Sequence, residues 1–395
     1  MQKKAIQNVK TNHGPSIDWN IAESILSGVS IIDMKRLAIQ NYTQASEYAH
    51  HYGLNLDDPH QKQIVQNIHI EAIQFIEDMF LDANQDTLIP PAVSAPKSPI
   101  DLLIYASGFE MGKNSDVQAW SCAVLKVMHC FFQLEHDPKL KNINTIRNQI
   151  FRDFKSLISV RDEAIFLENE QESFPLYFFK YKRNKSKNSI ILKLLHKPHM
   201  VPADIYDHLG IRFVLNTKAE CLLAFDFLWR HNLITEANVK PFRSRNTLID
   251  MEHARRLFVK HKKRLESAVE YPGEIYKKID KKLQPLKLEE LDQANPFSAT
   301  EYRSIQITVR KMIKLDEKPS SVYWFNEDHS EFNTFYFDYE IQLIDKATWL
   351  KTRRGPTSHA AYKRRQIEVA KTRVLGRTLL KQISESAFDK KADLP

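Results

Sequence analysis

The chain reads as an α+β protein, with an N-terminal all-helical domain followed by a mixed β-sheet flanked by helices. Two patterns predict this. Between residues 18 and 167 apolar side chains recur at the helical period, as in Ile64, Ile68, Ala72, Phe75 and Ile76 and again in Cys122, Leu125, Met128 and Phe132. After Phe174 and Pro175 the period falls to two, in segments at 176–181, 210–217, 302–309 and 335–344. A length of 395 residues, 43% hydrophobic and 10% aromatic, is enough for two cores.

The predicted elements follow in order. Asp57-Asp58-Pro59 and Ile89-Pro90-Pro91, the latter continuing through Pro96 to Pro99, are turn signals that divide residues 1–170 into helix groups. In the second domain, 171–395, a strand at 176–181 delivers the chain to Arg183. Ser186 then N-caps a helix whose buried side carries Ile190, Ile191, Leu194 and Leu195, and Pro198 and Pro202 end it. The strand at 210–217 sets Ile211, Phe213 and Leu215 on one side and Arg212 and Val214 on the other. An amphipathic helix at 219–231 comes next, then a charged helical insertion at 245–291, exposed to solvent. The strands at 302–309 and 335–344 are expected to pair antiparallel across a long polar connection, and a basic helix occupies 358–386. No internal repeat or low-complexity tract is present.

Composition bounds the function. A net charge of +8 favours polyanionic partners such as nucleotides or RNA. The three cysteines, Cys122, Cys130 and Cys221, have no metal-ligand spacing and are read as buried thiols in a reducing, cytoplasmic protein. The first twenty residues are polar, with Lys3, Lys4 and Lys10, and do not resemble a secretory leader. The most apolar run, 119–132, is short and broken by Lys126 and His129, so no membrane partner is expected. The nine glycines form neither a P-loop nor a GxGxxG fingerprint, which leaves side chains to hold any nucleotide.

Candidate chemistry lies in the second domain. Arg183 and Lys185 stand just before the helix capped by Ser186, where unpaired N–H groups and the positive dipole end favour phosphate. Ser189 and Lys193, four apart, share a helix face. Such a cationic helix start also serves as an ordinary solvated surface. Tyr302, Ser304, Gln306 and Thr308 fall on one face of their strand, and Tyr336, Asp338, Glu340 and Gln342 on one face of the next. A carboxylate in mid-sheet is costly unless paired, so Glu340 needs Mg2+ or a basic cluster, and Asp207 is a second carboxylate that could converge with it. Carboxylates, cations at a helix N-terminus and an aromatic on a polar strand suit metal-assisted phosphoryl or pyrophosphoryl transfer. The alternative is that Glu340 and Asp207 pair with structural arginines such as Arg212.

Five segments in order, R-x-K-S-x-x-S-I-x-x-K from Arg183, D-x-x-x-I-R from Asp207, Y-R-S-I-Q from Tyr302, E-I-Q from Glu340 and H-x-x-Y-K from His359, resemble the RelA/SpoT-type alarmone synthetase domain, over residues 176–366. That resemblance implies a nucleotidyltransferase-like sheet and transfer of the β,γ-pyrophosphate of ATP to the 3′-hydroxyl of GDP or GTP. It further implies that Arg183, Lys185, Ser189 and Lys193 hold ATP phosphates, that Asp207 and Glu340 hold Mg2+ with Glu340 as the base, and that Tyr302 stacks on the acceptor's guanine. Arg212 divides between ATP contact and a structural pairing with Asp207, and His359 and Lys363 between acceptor phosphate and packing.

The departures from the family pattern cluster on the acceptor side: Gln306 replaces a histidine, Ile344 an arginine, and residues 295–301 lack the usual lysine and glycine before the tyrosine. Two further readings therefore stand beside a guanine-nucleotide acceptor, a toxin-like enzyme acting on the tRNA 3′ end or another nucleotide, and a nucleotide- or RNA-binding protein without turnover. His136-Asp137 is the one His-Asp pair, and His50, His51, His60 and His69 form no ligand pattern, so no HD-type hydrolase is expected. Regulation, homo-oligomer formation or neutralisation of the activity are the roles left for the helical domain. About thirty residues follow the motifs, too few for the ribosome-sensing region of long family members.

Overall fold

A computed structural model describes residues 26, 30–33, 38–82, 88–108, 115–182, 186–197, 208–240, 242–268, 271–286, 303–315, 334–353 and 359–392. The protein is mixed α and β, with a helical region followed by a sheet with flanking helices. A 3-10 turn at Ile31–Asp33 precedes α1 (Tyr42–His51), α2 (Pro59–Phe80), α3 (Pro91–Ser94), α4 (Asp101–Ser107), α5 (Asp116–Glu135), α6 (Pro138–Lys141) and α7 (Ile143–Lys155). Then come β1 (Ile158–Arg161), β2 (Ala164–Glu168), β3 (Ser173–Lys182), α8 (Lys187–His196), β4 (Gly210–Leu215) and α9 (Lys218–Arg230). The remainder is β5 (Arg245–Asn246), α10 (Met251–Glu266), α11 (Gly273–Asp280), β6 (Ile305–Lys314), β7 (Thr334–Asp345), α12 (Lys346–Lys351) and α13 (His359–Ala392).

Helix starts follow local side-chain chemistry. Asp58 caps α2 ahead of Pro59, Ser115 caps α5, and Thr217 with Glu220 forms a full capping box on α9, each satisfying amides that have no intrahelical partner. Gly376, at φ 66°, sits at a kink in α13, in a backbone region that residues with a Cβ avoid.

Among the described residues seven strands run in the order β1-β2-β3-β4-β7-β6-β5, antiparallel except for the β4·β7 pair. The predicted pairing of the last two long strands holds, with Thr308 opposite Glu340 and Gln306 opposite Gln342. The helical reading of 18–167 fails at its end: Ile158 to Glu168 is a hairpin that extends the sheet, turning at Asp162 and Glu163, both at positive φ.

Two main cores result. One face of the sheet, carrying Ile211, Phe213, Leu215, Ile341 and Leu343, packs on α7, α9, α10 and α11 through residues such as Phe154, Phe227, Ala254 and Ile279. The segment read as a solvent-exposed insertion is thus helical, but Ala254, Leu257, Tyr276 and Ile279 are buried against the sheet. The other core joins α2 and α5 to α8 and α13, through Phe75, Trp120 and Phe131 with Ile191, Leu195, Val374 and Leu379. A helix that follows a sheet strand and the chain's last helix are therefore built into the N-terminal helical core.

Of the cysteines, Cys130 and Cys221 are buried as expected, whereas Cys122 is only partly so, because it borders a recess between α1, α4 and α5. No described helix is long and apolar enough to cross a membrane.

Burial holds both His129 and His196 down at about 4, far below the usual histidine value. Each is neutral in the fold, while the unfolded chain takes up its proton near pH 6.5. Stability is therefore complete above pH 6.5 and is lost as pH falls from 6.5 towards 4, where the unfolded state binds more protons. The thermal midpoint is expected to drop across that window, and His129→Gln with His196→Gln to flatten the drop, as calorimetry at pH 7 and pH 4.5 would show.

Candidate active site

Period-two geometry leaves the second face of the sheet polar. One row across it is Lys182 on β3, Gly210 on β4, Glu340 on β7 and Thr308 on β6. The next is Lys180, Arg212, Gln342, Gln306 and, on the edge strand, Arg245. A third, Phe178, Val214 and Ile344, is apolar, and α12 closes it by stacking Trp349 on Phe178 at 5.6 Å.

Glu340 is the pivot of the face. Its side chain is 16% exposed, and Lys182 Nζ donates to its Oε1 at 2.6 Å. The two residues are on strands separated by β4, and Gly210 makes the crossing possible. A Cβ at Gly210 would come within 2.8 Å of Lys182 Cδ and 3.3 Å of the Glu340 backbone carbonyl oxygen. The cation required beside a mid-sheet carboxylate is thus supplied by a lysine reaching over a glycine. Gly210→Ala is expected to push Lys182 away and raise its reactivity towards acetic anhydride several-fold, followed by mass spectrometry of the labelled peptide; an unchanged rate would contradict this packing.

Asp338, two residues earlier on the same face, is held by Lys240 at 2.8 Å and lies 3.9 Å from Arg310. Arg212 is committed structurally on one side: its Nε donates to Gln342 Oε1 at 2.6 Å, and its guanidinium lies 4.9 Å from the centre of the Trp349 ring. Gln342 in turn donates to Ser304 Oγ at 3.5 Å. Gln306 is half-buried between Gln342 and Arg245 in register, and Ile344 is fully buried. Of the side chains at 306 and 344, then, one lies on the polar face and the other beneath α12's end of it.

The helix that follows β3 starts as expected. Ser186 caps α8, accepting from the Ser189 amide at 3.3 Å, and the two hydroxyls are 2.8 Å apart. Burial goes further than the expected stripe, since Ile190, Ile191, Leu192, Leu194, Leu195 and His196 are all buried. Lys187, Ser189 and Lys193 are left partly exposed. Lys187 is taken by the helical core: its ammonium bridges Glu71 at 2.5 Å and Glu135 at 3.3 Å and lies over the Phe131 ring. Lys363 is half-buried on the second turn of α13, which packs along α8.

Arg183, Lys185, Asp207 and Tyr302 lie outside the described residues, as does the His359 side chain. The structure brings Glu340, Arg212 and Gln306 onto one face, while Ser189, Lys193 and Lys363 belong to helices of the other core. Sequence reading missed Lys180 and Lys182. Their signal was present, two lysines at alternate positions at the end of a strand running straight into Arg183, but the strand predicted from sequence ends at Tyr181. Among the described residues no cluster of three His, Cys, Asp or Glu side chains is placed to hold a metal ion. No family model matches the chain, and no curated protein matches its sequence.

Proposed function

We propose that the protein is a Mg2+-dependent pyrophosphokinase that moves the β,γ-pyrophosphate of ATP to the 3′-hydroxyl of a guanine nucleotide. The supporting observation is Glu340, a nearly buried carboxylate on a sheet face that also carries Lys180, Lys182, Arg212 and Arg245. The motif segments also adjoin this row in sequence: Arg183 follows Lys182 directly, and Asp207 stands three residues before Gly210.

Carboxylate oxygens are hard donors that suit Mg2+, so Glu340 fits as a ligand with Asp207 as the second. When bound, the ion neutralises charge on the transferring phosphates. Glu340 accepts the proton of the acceptor 3′-hydroxyl as that oxygen bonds to the β-phosphorus. The bond between the β-phosphorus and the oxygen bridging to the α-phosphate breaks, and AMP leaves. Lys182 and Lys180 supply positive charge where phosphate oxygens crowd, and Gln306 and Arg245 line the acceptor edge.

A second reading, with the 3′ end of tRNA as acceptor, is favoured by the exposed basic side of α10, where Arg255, Lys260, Lys263 and Arg264 lie in the segment that follows Arg245. Purified protein given γ-labelled ATP, Mg2+ and GDP, GTP or tRNA separates the readings by which species gains label. The expected product is labelled guanine nucleotide; label in none of the three would remove the proposal.

A further inference from the structure

A recess of about 170 Å³ lies between α1, α4 and α5, remote in sequence from the sheet motifs. Its wall includes Tyr52, Leu103, Leu125, Met128 and Phe132, with the Lys126 side chain among them. Protein interiors hold few voids larger than a water molecule, and an engineered apolar cavity of roughly 150 Å³ takes up benzene.

The polar side chains of the wall are not alike. Burial keeps His129 neutral, and its two ring nitrogens are bonded to the Tyr52 hydroxyl and the Gln133 amide at the far side. Burial pushes the Cys122 thiol up, so it stays protonated, and it donates to the Ala106 carbonyl oxygen at 3.8 Å. Lys126 differs. Burial lowers its ammonium below the usual lysine value, with Asp33 acting against that and Arg373 adding to it. Its contact with the Arg373 carbonyl oxygen is 3.4 Å, long for a charged donor, and occupies one of three N–H groups. The carboxylate that favours its charge, Asp33, is itself held by Arg373 through two bonds of 2.7 Å.

We propose that this recess binds a small carboxylic acid with a compact apolar body of about a benzene ring's size, its carboxylate paired with Lys126. The volume admits one ring or a short branched acyl group. A single lysine at the wall matches a monoanion, whereas phosphate recognition calls for several donors or an arginine fork. The site is independent of the pyrophosphokinase reading, since none of its residues lies on the sheet.

The test uses benzoate and its neutral isostere benzamide, titrated into the full chain by calorimetry and ligand-observed NMR. Benzoate is expected to bind at least about tenfold more tightly than benzamide. Lys126→Met should erase that preference, leaving the two ligands within about twofold of each other, and Lys126→Gln provides the same reading if the methionine variant fails to fold. Ala106→Leu, which narrows the recess, should weaken both ligands about tenfold or more. Absence of benzoate binding to the wild type, a preference that survives loss of Lys126, or binding indifferent to Ala106→Leu would each overturn the proposal.

Discussion

Glu340→Gln is expected to abolish pyrophosphate transfer, with a rate loss of about 10²–10⁴-fold, the range associated with removing a general base. The substitution keeps shape and hydrogen-bonding capacity on the sheet face while removing the proton acceptor and the negative charge beside Lys182. ATP affinity measured without Mg2+ should fall little, because the phosphate-holding cations are untouched, and loss of the anion leaves Lys182 more available to phosphate. Single-turnover transfer of γ-label measured beside equilibrium binding of a non-hydrolysable ATP analogue separates the two effects. Transfer that survives Glu340→Gln would exclude Glu340 as the base and with it the proposed chemistry.

The second large effect concerns stability. Arg373→Met is expected to destabilise the fold by about 2 kcal/mol, since it removes a nearly buried guanidinium whose hydrogen bonds reach a one-third exposed carboxylate and two helix-end carbonyls. Arg373, on α13, holds the Asp33 carboxylate with two bonds of 2.7 Å and donates to the carbonyl oxygens of Leu194 at 3.3 Å and Leu195 at 2.7 Å in the last turn of α8. Those carbonyls have no intrahelical amide to bond, and the negative end of the α8 dipole favours a cation there. Asp33→Asn should cost less, because the carbonyl bonds remain, and a double-mutant cycle read by denaturant midpoints would isolate the pair. Equal stability of wild type and Arg373→Met would mean that α8 and α13 do not depend on this bridge.

Alternation of polar and apolar residues in β4, β6 and β7 specified which side chains share a face, so Glu340, Gln342, Gln306 and Arg212 were placed on the polar side from sequence alone. The Ser186 cap was equally readable, because capping is local. The β1–β2 hairpin was not. Two-residue hairpins are signalled by glycine or asparagine at positive φ, and here Asp162 and Glu163 adopt that conformation without either residue. Lys182 was lost because its strand was ended one residue early, and a strand's end depends on the partner it pairs with, which for Lys182 is Gly210.

Local matters were encoded in the order of residues: the helical and strand periods, the cap of α8, the polar face of the sheet and the need of Glu340 for a cation. Each follows from spacing of a few residues and from the cost of burying charge. Which cation answers that need, that Gly210 opens the way for it, and that α8 and α13 pack into the N-terminal helical core are set by folding of the whole chain. Those outcomes join residues 158 apart in Lys182 and Glu340 and 340 apart in Asp33 and Arg373. No local pattern encodes such pairs, because they form only when non-local packing repays the entropy of closing the chain between them.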